Sequence, residues 1–97
     1  MFGVKIKITY DPAKRASNLA KHGLDFKDSG DVFAGVTVDD RDLRYDYPEP
    51  RFITFGLLRN RAVIVIWTPR DDSRRIISMR KANDREKAIY RQRLGEG

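Results

Sequence analysis

The chain contains a single histidine, His22, in the stretch Lys21-His22-Gly23. Histidine titrates near neutral pH, so its imidazole suits general acid–base chemistry. A histidine in the last turn of a helix also interacts favourably with the negative end of the helix dipole. Glycine commonly follows the last residue of a helix. From these residues alone, a helix-terminating role for His22 is favoured over a catalytic one.

A helix that ends at His22 would carry three potential cations on one face. Lys14, Lys21 and His22 share that face with Asn18, because residues three and four positions apart are neighbours on a helix surface. Such a stripe could bind a phosphate backbone, although a solvated polar face is the more frequent explanation of the pattern. A second face consists of small residues that could pack closely on a sheet: Ala13, Ala16 and Ala20.

The C-terminal half is rich in arginine, whose planar guanidinium donates paired hydrogen bonds to phosphate and stays charged. In the predicted strand RIISMR, alternation places Ile76, Ser78 and Arg80 on one side and Arg75, Ile77 and Met79 on the other. If the second side packs on the core, Arg75 lies near its edge. If the first does, Arg80 projects beside the core. Arg70, in the loop after the central strand, could reach the same area, and the last helix contributes Arg85, Tyr90 and Arg91.

Carboxylates offer two candidate bases, Glu49 and Glu86, but Glu86 is already explained as the partner of Asn83 in a helix capping box. An acidic run lacks the glycine and final glutamate of a calcium loop and is better explained as a charged edge strand: Asp39, Asp40, Asp42 and Asp46. With no cysteine and one histidine, the usual zinc sites are excluded. We therefore expect no metal and no cofactor.

The 97 residues predict one domain, spanning 1–97, with a modest core. The net charge is +6, distributed as +4 over residues 1–24, −5 over 25–49 and +7 over 50–97. A basic excess of this size favours a polyanionic partner such as nucleic acid. The alternating N-terminus indicates no signal peptide, and the longest apolar run, residues 62–67, is too short for a membrane helix. A soluble cytoplasmic domain without a membrane partner is expected.

The elements that must position these residues follow from periodicity and capping signals. Val4, Ile6, Ile8 and Tyr10 alternate as in a half-buried strand. Asp11-Pro12 opens a helix that Gly23 ends, and Asp25 caps a second, shorter helix that ends at Gly35. The remaining predicted elements are strands 37–44, 51–58, 62–68 and 74–80, a short turn 59–61, a loop 69–73 and a final helix 83–94. The order predicts an α+β fold: strand, helix, helix, a mainly antiparallel four-strand run and a C-terminal helix.

Several of these residues together form a pattern that resembles the BrnT toxin family. The pattern comprises Tyr10-Asp11-Pro12-x-Lys14, Asn18-x-x-Lys21-His22-Gly23-x-x-Phe26, Arg51 with Gly56, and Arg75-Ile76-Ile77-Ser78-x-Arg80-x-Ala82-x-x-Arg85-Glu86-x-x-x-Tyr90. It covers most of the chain. Two departures are visible: Tyr10 replaces a tryptophan often seen before Asp-Pro, and Pro50 stands where a second acidic residue commonly precedes the arginine.

The resemblance implies a RelE-like fold and a ribonuclease toxin of a type II toxin–antitoxin system that cleaves messenger RNA and arrests translation. It also implies neutralisation by a BrnA antitoxin with a ribbon-helix-helix domain, in a complex that binds operator DNA. It moves His22 towards a functional role, because Gly23 explains why the helix ends there but not why histidine precedes it.

The resulting hypothesis is a metal-independent endoribonuclease, in which the RNA 2′-hydroxyl attacks the adjacent phosphorus. Arg70 and Arg80 would stabilise the phosphate charge, His22 and more weakly Glu49 would transfer protons, and Tyr90 would stack on a base or donate a proton. Support and RNA-backbone binding are assigned to Lys14, Lys21, Arg51, Arg85 and Arg91.

Two alternatives remain open at this point. A non-catalytic nucleic-acid-binding domain would use the same basic faces and bind without cutting, with a strong dependence on salt. A protein-interaction module would instead use the acidic segment 25–49 to dock a basic partner.

Overall fold

A computed structural model describes residues 6–95. The elements are β1 (Lys7–Tyr10), α1 (Pro12–His22), a short 3-10 helix (Phe26–Asp28), α2 (Ser29–Ala34), β2 (Val38–Arg41), β3 (Phe52–Leu58), β4 (Arg61–Arg70), β5 (Ser73–Lys81) and α3 (Asp84–Gly95). The five strands form one sheet in the order β1-β5-β4-β3-β2. Only β1 and β5 pair in parallel, and the other pairs are antiparallel. The predicted α+β class and element order are confirmed, while Val4 lies outside the described residues.

The ends of α1 follow the predicted capping signals. The Asp11 carboxylate accepts a hydrogen bond from the Ala13 backbone N–H at 2.9 Å, and Pro12 occupies the first turn. Gly23 has φ +70°, and its N–H donates to the Leu19 carbonyl. Since this left-handed conformation strains residues with a Cβ, glycine ends the helix there. Asp25 caps as expected, but it opens the 3-10 helix, and α2 starts only at Ser29.

One face of the sheet, here called the core face, is covered by the first half of the chain. The main buried cluster joins residues of β3, β4 and β5 to the 3-10 helix, α2 and the segment after α1: Leu24, Phe26, Val32, Phe33, Leu58, Val63, Val65, Trp67, Ile76 and Met79. α2 approaches β3 closely at Gly56, where a Cβ would lie 2.6 Å from Val32 Cγ1. Glycine at this position therefore permits the contact that closes the core.

The opposite face, here called the open face, carries a smaller apolar cluster. Its buried members are Ile64, Ile66 and Ala82, with half-buried Ile53, Phe55, Ala62 and Ile77 around them. β4 contributes to both clusters, which confirms the prediction of a central strand with two apolar sides.

α3 docks on the β2 side mainly through polar groups on one helical face. Glu86 binds Arg80, the Tyr90 hydroxyl donates to the Val36 carbonyl at 2.9 Å, and Arg93 binds Asp40 at 2.8 Å. The capping box is formed, since Asn83 and Glu86 exchange hydrogen bonds with each other's backbone N–H. Within residues 6–95, no helix combines the length and apolarity needed to cross a membrane.

Two predicted connections differ from the structure. The expected loop 69–73 is a two-residue turn, Asp71-Asp72, and Pro69 belongs to β4, where it pairs with Arg74. Proline is tolerated there because β3 pairs with β4 only as far as Trp67, which leaves no ladder bond for the missing N–H. β2 is also shorter than predicted, because the Asp42 carboxylate turns back to accept from the Arg44 N–H at 3.3 Å. The short turn at Arg59-Asn60 is confirmed.

A β-bulge in β5 corrects the predicted alternation of RIISMR. Ile66 pairs with Ser78, whereas the next residue, Trp67, pairs with Ile76, so Ile77 is the extra residue on β5. The bulge changes the phase of the strand, and both Ile76 and Met79 are buried in the core-face cluster. Neither of the two alternating arrangements considered for this strand is therefore correct.

The side of α1 that meets the sheet is the polar one. The expectation that Ala13, Ala16 and Ala20 pack on the sheet is wrong, because all three are exposed. Asn18 is buried instead: its amide donates to the Met79 carbonyl at 2.9 Å and accepts from the Met79 N–H at 3.2 Å. β1 pairs with β5 only as far as Ile76. The Asn18 side chain thus takes the place of a strand residue beside the free edge of β5.

Candidate functional site

The predicted cationic face of α1 lies along this edge of β5. A shallow cleft of about 190 Å³ separates the two elements and is lined by Lys14, Ser17, Asn18, Lys21, His22, Ile77 and Ser78. The two lysines are exposed and His22 is half-buried. Asn18 is committed to the backbone of β5, so three groups remain that could bind or protonate an anion. The spacing argument correctly grouped these residues, while the cleft opposite them was not foreseen.

The cleft continues onto the open face through Ser78. Ser78 pairs with Ile66 and Arg80 pairs with Ile64, and both partners belong to the open-face cluster. Successive residues on one face of a strand are separated by about 7 Å, so Arg80 follows Ser78 directly. His22 and Arg80 therefore flank a common surface at the β5 side of the sheet.

Arg80 is held in place by Glu86. Two of its guanidinium nitrogens donate to the two Glu86 oxygens, each at 2.8 Å. The hydrogen bonds from Arg80 hold the pKa of Glu86 below its ordinary value, and the carboxylate in turn raises the pKa of Arg80. Since Glu86 also closes the capping box, the Arg80 head group is fixed relative to both β5 and α3.

Two further arginines near the open face have no carboxylate partner within residues 6–95: Arg51 and Arg75. Arg75 pairs with Thr68 on β4, so it lies on the side opposite Trp67 and Arg74, which stack together on the core face. Arg51 directly precedes β3, and its guanidinium lies 4.1 Å from the centre of the Tyr47 ring. Its Nε atom is buried without a hydrogen-bond partner in the described chain. Both arginines retain donors for an external anion.

The structure does not bring Arg70 to Arg80. Arg80 lies opposite Ile64, six positions before Arg70 on β4, which corresponds to about 20 Å along the strand. The Arg80 guanidinium is moreover bound to Glu86, so it is not directed along the strand towards Arg70 by any contact in the described chain. Arg70 lies 3.6 Å from Glu49, so these two predicted site residues form their own pair at the far end of the sheet.

The residues predicted on α3 occupy three different environments. Tyr90 is only 7% exposed, and its burial raises the pKa of its hydroxyl. Arg85 is exposed in the first turn. Arg91 lines a second cavity, of about 380 Å³, with Leu57, Arg61 and Lys87 near the Arg59-Asn60 turn. These three side chains are not gathered around the cleft that contains His22.

Comparison with known protein families decides the affiliation of the chain. The sequence model of the family described as "Ribonuclease toxin, BrnT, of type II toxin-antitoxin system" matches residues 10–86. The chain belongs to the BrnT family. A search of curated proteins finds no significant match. The resemblance inferred from the KHG and RIISxR motifs is confirmed, and membership in this type II family implies an RNA substrate and an antitoxin partner.

The region matched by the BrnT family contains the cleft and the Arg80–Glu86 pair but not the second half of α3. Tyr90 and Arg91 fall outside it. All the other candidate site residues, including those of the cleft and the capping box, lie within the family match.

Sequence reasoning missed the role of Asn18 in fixing the cleft. Asparagine is unfavourable inside a helix because its amide competes for backbone groups. An asparagine in the middle of α1 was therefore a signal that its side chain bonds to something other than solvent. Nothing in the local sequence indicated that the partner is Met79, because that residue lies 61 positions away.

Proposed function

We propose that this BrnT family member is a metal-independent endoribonuclease that cleaves messenger RNA, inhibits translation and is neutralised by a BrnA-like ribbon-helix-helix antitoxin. The observation that carries the proposal is the continuity between the cationic cleft of α1 and β5 and the fixed guanidinium of Arg80. A proton-transfer group and a phosphate-binding group thereby flank one surface.

The reaction uses the 2′-hydroxyl of the RNA as nucleophile. Its oxygen attacks the adjacent phosphorus, the bond from phosphorus to the 5′-oxygen breaks, and the products end in a 2′,3′-cyclic phosphate and a 5′-hydroxyl. One proton leaves the 2′-oxygen and one reaches the 5′-oxygen. His22 carries one of these transfers, since imidazole exchanges protons near neutral pH.

The cations that face this surface stabilise the negative charge of the reacting phosphate. Arg80, fixed by Glu86, stabilises the charge that accumulates on the phosphoryl oxygens, and Lys21 supports it. Preorganised donors of this kind act without reorganising during the reaction. Lys14 and Arg75 bind adjoining phosphates.

The remaining predicted residues are assigned to a longer RNA path. Arg51 and Arg70 contact the RNA strand farther along the sheet. The Glu49 carboxylate lies 3.6 Å from the Arg70 guanidinium and orients it. Tyr90 supports α3 through its bond to Val36, and Arg85 and Arg91 add to the positive field that attracts RNA.

Metal independence is supported by the residue types at the cleft. They are two lysines, an imidazole, two serines and a nearby arginine, and the carboxylate at hand, Glu86, is already bound to Arg80. Such groups neutralise phosphate charge directly, whereas a divalent cation in a nuclease is usually held by carboxylates.

The test is cleavage of a defined RNA in excess EDTA, both free and as ribosome-bound messenger. We expect His22→Ala and Arg80→Ala each to lower kcat by about 10²-fold or more. Lys27→Ala, which removes an exposed cation from the 3-10 helix, should stay within about twofold of wild type because it reshapes only the diffuse surface field. Wild-type products should carry 2′,3′-cyclic phosphate.

The alternatives give different results in the same assay. Loss of activity in Arg80→Ala but not in His22→Ala would return His22 to a helix-terminating role. Salt-sensitive binding with no scission of either substrate would identify a non-catalytic RNA-binding protein. Cleavage that EDTA abolishes would refute metal independence.

A further inference from the structure

The segment between β2 and β3, residues 42–50, is anchored tightly at its base. The Asp42 side chain is fully buried, and its carboxylate accepts hydrogen bonds from Arg44 Nε and an Arg44 terminal nitrogen, each at 2.8 Å. The Asp42 backbone N–H donates to the Arg51 carbonyl at 2.8 Å. Because Arg44 stabilises the ionised carboxylate, the pKa of Asp42 is held below its ordinary value. This segment, here called the tyrosine loop, is therefore built as an ordered projection.

Two aromatic rings extend outward from this base. The Arg51 guanidinium lies 4.1 Å from the centre of the Tyr47 ring. The Tyr47 and Tyr45 rings meet edge to face, with centroids 5.8 Å apart and planes at 75°. Tyr45 is nevertheless 72% exposed. It thus contacts a neighbouring ring while most of its surface remains available to a ligand.

Two arginines lie close to the tyrosine pair, because Arg51 contacts the Tyr47 ring and Arg44 precedes Tyr45 in the chain. Arg44 lies near enough to Arg80 for the two charges to repel each other, which connects the loop to the proposed catalytic surface. Of the loop carboxylates, Asp42 is paired with Arg44 and Glu49 with Arg70. Asp46 alone has no ion-pair partner among residues 6–95. Arg51, which has no carboxylate partner among residues 6–95, is therefore the unneutralised cation at the tyrosine pair.

We propose that Tyr45 is a base-stacking subsite, on which an unpaired base of the RNA substrate rests while its phosphates follow Arg51 and Arg75. The inference depends on the proposed ribonuclease function and specifies how the substrate is held. Single-stranded RNA is typically bound by aromatic rings beside a cationic track, because every base has a flat face and every linkage a charge. A protein ligand would use the apolar area of Tyr45 but would not require arginines around it.

Stacking at this place affects substrate binding more than bond cleavage. The tyrosine loop lies outside the α1–β5 cleft, so loss of the ring leaves the proton-transfer and phosphate groups unchanged. Since every base can stack, the contribution of Tyr45 is expected to depend weakly on base identity.

The experiment measures kcat and KM for RNA cleavage by Tyr45→Ala, Tyr45→Phe and Leu43→Ala in the full-length chain. Leu43→Ala is the matched control. Leu43 is an apolar residue of the same loop and, at 78% exposed, is about as accessible as Tyr45, but it has no aromatic ring. We expect Tyr45→Ala to raise KM roughly 5- to 100-fold with kcat nearly unchanged. The KM of Tyr45→Phe should remain within about twofold of wild type, because phenylalanine keeps a flat ring. The KM of Leu43→Ala should do the same, because leucine has no ring to lose. Binding of an antitoxin, measured in parallel, should not change.

Other results separate this inference from the function on which it rests. Unchanged KM in Tyr45→Ala, with wild type active and Arg80→Ala inactive, would refute the subsite and leave the ribonuclease standing. Equal losses in Tyr45→Ala and Leu43→Ala, accompanied by loss of antitoxin binding, would assign the loop to a protein partner instead. A wild-type protein that neither binds nor cleaves RNA would refute both proposals.

Discussion

The two faces of the sheet differ in how they are covered. On the core face, α2, the 3-10 helix and the segment after α1 bury side chains completely, among them Phe26, Val32 and Met79. On the open face, Ile53 and Phe55 remain half-exposed, and α3 is attached by ion pairs and one buried ring. Because burial of apolar surface is the dominant source of stability, the core face holds the fold together. The open face buries fewer side chains, namely Ile64, Ile66 and Ala82, and leaves part of its surface accessible to a charged ligand.

The largest expected difference between the faces comes from truncating one phenylalanine on each. Phe26→Ala should lower the free energy of unfolding by about 3–5 kcal/mol, since a fully buried ring is lost. Phe55→Ala should cost less than half as much, because solvent already reaches its ring. Urea denaturation at neutral pH measures both values. Equal losses would show that the open face is as closed in solution as the core face.

The junction between the two faces, where α1 meets β5, can be weakened at Asn18. Asn18→Ala leaves the Met79 N–H and carbonyl without partners and should cost about 1–3 kcal/mol of unfolding free energy. Ser17→Ala is the matched control on the same turn, and it should change stability little because Ser17 is exposed. Hydrogen exchange at the Met79 amide provides a local reading, and it should accelerate in Asn18→Ala alone. Unchanged exchange there would mean that the amide is not the group that protects this edge.

The smallest effect concerns the ion pair that fixes α3 to the open face. The pKa of Glu86 in the folded protein lies below its ordinary value of 4.5, so the pair stabilises the fold above that pH and loses its effect as pH falls below it. Glu86→Gln should cost about 1 kcal/mol or less at pH 7, because both side chains are partly solvated. The difference from wild type should shrink steadily as the pH falls below 4.5, because the carboxylate becomes protonated in both states.

Comparing variant and wild type at each pH isolates this contribution. The subtraction is needed because Arg15 holds the pKa of Asp25 at about 2, which gives the wild type a second acid-sensitive pair near the core face. Asp46→Asn serves as control and should follow the wild-type pH profile. A Glu86→Gln deficit that stays constant as the pH falls would point to lost packing instead of lost charge.

The sequence predicted those features that depend on neighbouring residues. Asp11 and Gly23 delimit α1 as expected, and Asn83 and Glu86 form the capping box, because capping is decided within one helical turn. The cationic side of α1 was likewise found from spacing alone. The family affiliation followed from motifs on these same elements.

Features that depend on distant contacts were missed or misplaced. The bulge at Ile77 was not apparent from the sequence, because a strictly alternating strand also gave an acceptable face on either side. The extra residue is required only because Ile76 and Met79 are both buried on the core face. The alanines of α1 were placed on the sheet because small residues often are, while Asn18 takes that position by bonding to Met79. The separation of Arg70 from Arg80 requires the register of β4 and β5, which spacing along the chain does not supply.

The pairing of β1 with β5 also has a consequence for the timing of folding. β3, β4 and β5 are joined by two-residue turns and can zip together locally, whereas Lys7 must find Ser73 and Asn18 must find Met79. Contacts between such distant residues form slowly, because a long loop must close first. We therefore expect the cleft between α1 and β5 to form after the β3-β4-β5 hairpins. A nascent chain that does not yet contain β5 lacks the second wall of the cleft.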